Sequence, residues 1–360
     1  MKCIRFEQEE QFVKDFIGLY HKLYNKKNNM QNDTELRELL LGQHILSKYF
    51  HLDKFCVYAG NETAARFIIT TYPDDDSAYL GFFECVDDPE TARFLFEEAE
   101  IFVKSKKYKR IIGPVDASFW IRYRLKTNLF DRLPYTGEPY NQEYYLKLFQ
   151  ENGYEIAQHY TSSIYHPVEE EWHNEKFADR YRLFTEQGYK IINPTKDDWD
   201  KTVEELHGLI TDLYRDFPIY KDIALEDFRK YFESYKLIIN FDMVKMAYYN
   251  EKAVGFYVSI PNYHNKVYHT RALLNILKIL HIRKRPKEYV MLYMGVAQEH
   301  RGLGKAIIHS IIEELRRNKL PSIGALQRDG KITQSYAKEL IEKRYEYVLL
   351  KREVNDDNIS

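Results

Sequence analysis

The sequence has few cysteines, no long apolar run and no surplus of charge of either sign. Its three cysteines, Cys3, Cys56 and Cys85, are an odd, scattered set without CxxC spacing or a histidine pair nearby. They indicate neither a disulfide framework nor a zinc site. The twelve histidines contain no HExxH pair, and Asp74-Asp75-Asp76 lacks the further ligands and the glycine of a calcium loop, so no metal is expected. No run approaches the length that crosses a bilayer, and the amino-terminal MKCIRFEQEEQF has no apolar signal core. The expectation is a cytoplasmic chain with no membrane partner. With 53 basic and 55 acidic residues the formal net charge is −2, which gives no global electrostatic reason to bind nucleic acid.

What is present is enough for two packed domains: 360 residues, 44% of them hydrophobic. The first half reads as a strand at Cys3–Phe6, helices near Glu10–Tyr24 and Thr34–Tyr49, and a hairpin of Phe55–Ala59 and Arg66–Thr71 turning at Gly60-Asn61. Then come a strand Ser77–Val86, a helix opened by Asp88-Pro89, and a strand Arg110–Ile112. The second half repeats this order. Ile191–Asn193 is its short strand, Trp199–Arg215 and Leu225–Tyr235 its helices, and Met243–Tyr249 with Ala253–Ile260 its hairpin. The boundary is expected near Pro167–Gly188.

The repeat ends in the most informative stretch, Tyr289–Arg317, YVMLYMGVAQEHRGLGKAIIHSIIEELRR. Tyr289–Val296 has strand length. From Leu303 the apolar residues take a helical period, at Leu303, Ile307, Ile308, Ile311, Ile312 and Leu315. A helix entered this way directs its first unpaired N–H groups beyond the strand end, where they favour an anion. A Walker loop would need glycine at Glu299 and serine or threonine at Ala306, which excludes it. In the first half the corresponding turn, Glu84-Cys85-Val86-Asp87-Asp88-Pro89-Glu90, has no glycine and up to four carboxylates, which would repel a diphosphate.

The run Arg301-Gly302-Leu303-Gly304-Lys305-Ala306 reads R-x-x-G-x-A and closely resembles the pyrophosphate loop of the GNAT superfamily of N-acetyltransferases. The whole chain looks like the bacterial tandem-GNAT proteins. The resemblance implies an α/β fold (an α+β mixed sheet) of two GNAT-like domains in tandem, each a mostly antiparallel central sheet flanked by helices. Residues 1–168 would be a degenerate domain, and residues 169–360 an acetyltransferase domain with an insertion at 262–288. That insertion, with a helical stripe at Arg271–Ile282, is a departure from the plain pattern and is expected to cap the pocket.

The resemblance further implies acetyl-CoA as co-substrate and an acyl-CoA-dependent N-acyltransferase acting on the amino group of a small molecule or peptide in a ternary complex. The alternatives are a non-catalytic acyl-CoA-binding protein and a tandem-GNAT aminoacyl transferase using aminoacyl-tRNA. Carried onto this sequence, the backbone N–H of Val296 contacts the thioester carbonyl. Arg301, Gly302, Leu303, Gly304 and Lys305 hold the diphosphate, and Ala306 keeps the helix close to the sheet. Tyr336, seven residues after Asp329, takes the place of the acid that protonates the thiolate. The Gly-Phe that usually closes its helix is replaced by Leu340-Ile341, and that helix is expected to run to about Arg344. Glu288 is a candidate base acting through water, and Tyr293 and Trp120 are candidate substrate contacts. The mixed basic and aromatic stretch Phe119–Lys126 reads as a packed loop before it reads as a nucleic-acid surface.

Overall fold

In a computed structural model of the chain, residues 1–217, 219–270, 273–330 and 332–354 are described. They form two compact units, Met1–Tyr160 joined by the C-terminal stretch from Glu346, and Thr161–Tyr345. Unit 1 contains β1 (Lys2–Phe6), α1 (Glu10–Leu23), α2 (Asp33–Leu40), β2 (His51–Ala59), β3 (Glu62–Thr71), β4 (Ser77–Cys85), α3 (Pro89–Ser105) and β5 (Arg110–Gly113). The short strands β6 (Val115–Asp116), β7 (Arg122–Tyr123) and β8 (Leu125–Lys126) and helix α4 (Tyr145–Glu151) follow. β9 (Glu155–Tyr165) leads into unit 2, with α5 (Glu175–Glu186), β10 (Lys190–Ile192), α6 (Trp199–Tyr214), α7 (Leu225–Phe232), α8 (Tyr235–Ile238), β11 (Val244–Tyr249) and β12 (Lys252–Pro261). The last elements are α9 (Leu273–Lys284), β13 (Tyr289–Val296), α10 (Leu303–Asn318), β14 (Ser322–Arg328) and β15 (Ile341–Glu353).

The two units share one strand order. It is β1-β2-β3-β4-β5 in unit 1 and β10-β11-β12-β13-β14 in unit 2, with every pairing antiparallel except the last. Local chemistry explains the elements. Gly60, at φ +62°, turns the β2–β3 hairpin. Asp88 caps α3 by accepting from the Thr91 N–H at 2.9 Å, and Pro89 begins the helix, where a missing N–H costs nothing. On α10, Leu303, Ala306, Ile307, Ile311, Ile312 and Leu315 are buried in one core with Val254 and Tyr257 of β12.

Four sequence expectations change. α2 stops at Leu40 rather than reaching Tyr49, because Gly42 turns left-handed at φ +68° and the N–H groups of Gln43 and His44 both close on the Glu38 carbonyl. The segment around Tyr336 is two 3-10 turns, Ile332–Ser335 and Lys338–Leu340, with Ala337 between them at φ +47°, and Ile341–Arg344 already belongs to β15. Residues 346–354 group with unit 1, whereas the expected second domain kept residues 169–360 together. The reason is the cover that β5 needs: β15 pairs antiparallel with it, Leu350 opposite Gly113, and buries Val348 and Leu350 in the unit 1 core. The insertion at 262–288 presents its apolar stripe outward, with Leu273, Leu274 and Leu277 exposed, and rests on α8. Arg271, Ala272 and Lys331 lie outside the described residues.

Unit 1 also buries a carboxylate. Glu84 on β4 accepts from the Tyr145 hydroxyl at 2.6 Å and the Tyr24 hydroxyl at 3.0 Å, with Arg66 3.8 Å away. Burial raises its pKa from 4.5 to about 7, against the opposing pull of Arg66 and of the two hydroxyls. The folded chain therefore keeps a proton that the unfolded chain loses between these values, so stability falls as pH rises through that window. Glu84→Gln is expected to remove on the order of 3 kcal/mol of that decline. Thermal melts at about pH 5 and pH 8 check it: wild-type should lose more stability between them than the variant, and equal losses would refute the assignment.

Candidate active site

β13 and β14 pair through only three positions, Tyr289–Ser322, Val290–Ile323 and Met291–Gly324. β13 continues to Val296 and β14 to Arg328, so the two strands part and leave a fork. A bulge begins it. Val258 of β12 faces Tyr293 and Ser259 faces Met291, which leaves Leu292 as an extra residue.

The register of β12 decides which backbone groups line the fork. The Ala297 N–H donates to the Val254 carbonyl at 2.9 Å. The alternation of an antiparallel ladder then puts Val296 opposite Gly255, and Met294 opposite Tyr257, in the positions that make no bonds to the partner strand. Their N–H and C=O groups turn away from β12, toward the fork. Consistent with this, the Met294 carbonyl is reached by the Tyr214 hydroxyl at 3.5 Å.

Helix α10 begins at the mouth of the fork. Its N-cap is Gly302, at φ +97°, where a side chain would be strained, and no side chain caps the helix. A Cβ on Gly304 would lie 3.1 Å from the Met294 methyl and 3.8 Å from Val296 Cγ2, so the missing side chain lets the helix close onto the strand. Leu303 and Ala306 are buried, and Arg301 is exposed. The Lys305 N–H is already used, donating to the Gly302 carbonyl at 3.2 Å. The donors that remain at the turn come from Arg301 through Gly304, on the positive end of a sixteen-residue helix.

Tyr336 reaches this turn in spite of its changed secondary structure. Its hydroxyl lies 3.6 Å from the position of a Gly304 Cβ, its ring meets Phe177 edge-on, and its carbonyl accepts from the Tyr165 hydroxyl. Burial raises its pKa above 10, so it is a protonated phenol at neutral pH. Asp329 is exposed and accepts from Gln334 at 2.7 Å.

Two sequence candidates, Glu288 and Trp120, have other settings. Glu288 precedes β13 and so stands at the opposite end of the strand from the turn, roughly 25 Å away at ~3.3 Å per residue. It accepts from the Asn262 side chain and closes the base of the insertion through Asn262 N–H. These bonds hold Glu288 at the far end of β13 from the turn. Trp120 belongs to unit 1, buried and edge-on to Phe119. Its neighbours are also interior: Lys126 pairs with Glu138 at 2.8 Å with both side chains fully buried, and Arg122 pairs with Asp116. Tyr293 does belong to the fork strand, and with Leu292 it walls an apolar cavity under α6 and α7.

The same fork begins in unit 1 and is closed there. β4 and β5 also share three pairs, Ser77–Arg110, Ala78–Ile111 and Tyr79–Ile112. Cys85 is the counterpart of Val296, since Val86 N–H donates to Ala64 as Ala297 does to Val254. Its N–H bonds to the Tyr145 hydroxyl at 3.1 Å, and its carbonyl accepts from the Tyr144 hydroxyl at 2.8 Å. β6 fills the space beside them. The Asp116 carboxylate accepts from the bulged Phe82 N–H, and a Cβ on Gly81 would collide with the Val115 carbonyl at 1.8 Å.

A three-pair parallel edge that forks beside a helix start occurs in both units, and only in unit 2 does that start carry glycine. The fold as a whole is matched by solved structures. A tandem GNAT protein from the clavulanic acid biosynthesis pathway aligns over 99% of this chain and 99% of its own, at TM-score 0.53 and 11% identity. The chain has the tandem GNAT fold. The GCN5-related glucosamine N-acetyltransferase region of a fungal multi-domain beta-N-acetylglucosaminidase aligns over 97% of this chain and 38% of that one, at TM-score 0.54 and 12% identity. No protein-family model and no curated protein matches the sequence.

One further residue, which the spacing of the sequence did not single out, stands at the turn of unit 2. Arg180 on α5 stands over the turn, its Nη1 3.5 Å from the position of a Gly302 Cβ, beside Phe184. Phe177, Arg180 and Phe184 share one face of α5 at i, i+3 and i+7, and both phenylalanines are buried. That spacing was readable. Arg180→Ala is expected to weaken coenzyme A binding about three- to tenfold at low salt and less at high salt, as for one charge contact near the surface. Calorimetric titration at two ionic strengths checks it, and an unchanged dissociation constant at low salt would remove Arg180 from the site.

Proposed function

We propose that unit 2 is an acyl-CoA-dependent N-acyltransferase, with acetyl-CoA as the simplest donor and the amino group of a small molecule or peptide as acceptor, and that unit 1 does not bind the coenzyme. The observation that carries this reading is the contrast between two equivalent backbone sites. The Val296 N–H of unit 2 turns into an open fork, whereas the Cys85 N–H of unit 1 is bonded to a tyrosine hydroxyl. At the start of α3 the Asp88 carboxylate accepts from the Thr91 N–H, while no side chain caps α10.

The residues fit the coenzyme's chemistry. The diphosphate accepts hydrogen bonds from the N–H groups of Arg301 through Gly304, with Arg301 and Arg180 adding positive charge. The thioester carbonyl accepts from Val296 N–H, which stabilises the negative charge that develops on oxygen as the amine attacks. The new C–N bond forms, the C–S bond breaks, and the departing thiolate takes the Tyr336 proton. The proton released by the amine returns to the phenolate through solvent. The raised pKa of Tyr336 keeps the acid loaded at neutral pH, at the cost of a weaker driving force for the transfer.

Two measurements test the reading. Acetyl-CoA at a hundredfold excess over its dissociation constant is expected to stabilise the fold by about 2.7 kcal/mol, and the absence of any thermal shift would defeat coenzyme binding altogether. Thiol release with a panel of amines then separates an enzyme from a binding protein. Tyr336→Phe is expected to lower kcat at least tenfold, within the range of general acid catalysis, with the coenzyme dissociation constant within about twofold. A loss of less than twofold in kcat would strip Tyr336 of the acid role.

A further inference from the structure

The apolar cavity under the fork strand has no part in the reaction described so far. Its unfilled space is ≈ 590 Å³ in all, counting open solvent and the gaps between side chains, and ≈ 50 Å³ of it is wide enough for the centre of a water molecule. α6 contributes Trp199 and Val203, α7 Phe228 and Phe232, the start of α8 Tyr235, and β13 Leu292 and Tyr293. The wall is apolar throughout. The hydroxyls of Thr202, Tyr235 and Tyr293 do not open onto it. Such a space offers a charged or hydrogen-bonding group no partner and stabilises only hydrocarbon.

Its position along β13 points to the occupant. Running back from α10, the strand offers the helix turn first, then the fork-facing N–H groups of Val296 and Met294, and then Tyr293 and Leu292, which wall the cavity. A donor held by its diphosphate at the turn and by its thioester carbonyl at Val296 lies along the strand in that direction. Whatever extends beyond the carbonyl on the acyl side continues toward Leu292. The bulge at Leu292 bends the strand at the point where the cavity begins.

The rest of unit 2 keeps this space open. Gly295 faces α6, where a Cβ would lie 2.5 Å from the Leu213 side chain and 2.6 Å from the Phe256 ring, so helix and strand are in contact above the cavity. Below it, the aromatic side chains of α7 and α8 pack on one another along the wall, with Phe228 and Phe232 at 4.5 Å and Phe232 and Tyr235 at 5.0 Å between centroids. α9 of the insertion packs on α8, and the Tyr263 hydroxyl bonds the Ile238 carbonyl at 2.6 Å, which fixes the element that bears Tyr235.

We propose that this cavity receives the hydrocarbon tail of the acyl donor, so that unit 2 prefers a short-to-medium acyl-CoA, from butanoyl to octanoyl, over acetyl-CoA. The proposal rests on the coenzyme reading above.

The test is a chain-length series on the intact protein: dissociation constants for coenzyme A, acetyl-CoA, butanoyl-CoA, hexanoyl-CoA and octanoyl-CoA by calorimetry. With each buried methylene worth a factor of about four, hexanoyl-CoA is expected to bind at least tenfold tighter than acetyl-CoA. Val203→Phe, which fills the cavity from α6, is expected to reduce the hexanoyl-to-acetyl ratio to within twofold. Leu206→Trp, nearer the surface of the same helix, gives the same readout if Val203→Phe does not fold. Equal affinity for all acyl chains, with coenzyme A still binding, overturns this inference and leaves the coenzyme reading standing. No binding of any coenzyme overturns both. An acyl-length-independent enzyme whose amine KM responds to Leu206→Trp assigns the cavity to the acceptor and also overturns the proposal.

Discussion

A parallel pair of strands that stops after three residues leaves backbone groups without a partner strand, and the remainder of unit 2 follows from what is done with them. Met291 and Gly324 form the last pair of β13 and β14. Beyond it Met294 and Val296 turn their N–H and C=O groups away from β12, because the Ala297–Val254 bond fixes the phase of the ladder. Backbone polar groups must find partners, so a fork of this kind is filled by protein or stays open to water and ligands.

The chain contains both solutions. In unit 1 the fork is filled from within, by the Val115–Asp116 strand and by the hydroxyls of Tyr144 and Tyr145 on the Cys85 peptide. Glu84, buried and bonded to Tyr145, completes that plug. In unit 2 residues Met291–Val296 stay half-exposed, and the helix start beyond them carries glycine where unit 1 carries a capping aspartate. A duplicated scaffold with one closed and one open copy explains why the loop motif occurs once.

Much of the fold was legible because its signals are local. The glycine turn of the first hairpin, the Asp88-Pro89 helix start and the helical period of Leu303–Leu315 each depend on neighbours in sequence. The Arg301–Ala306 loop was legible for the same reason: a left-handed Gly302 and a close-packed Gly304 are requirements of one strand–helix turn. The approach of Tyr336 to the turn does not depend on the helix expected to carry it, which is a pair of 3-10 turns. Its hydroxyl approaches Gly304 through tertiary packing on Phe177.

The sequence by itself determined that two similar α/β halves follow one another and that only the second enters its helix through glycines without carboxylates beside them, because those properties rest on residue spacing within single elements. Tertiary structure alone decided the rest. The C-terminal strand covers β5 because that edge needs an apolar partner, and no local pattern encodes the choice. Glu288 falls at the far end of its strand from the turn, and Arg180 arrives from a separate helix. The openness of the second fork depends on which distant side chains are near enough to bond the strand's free peptide groups.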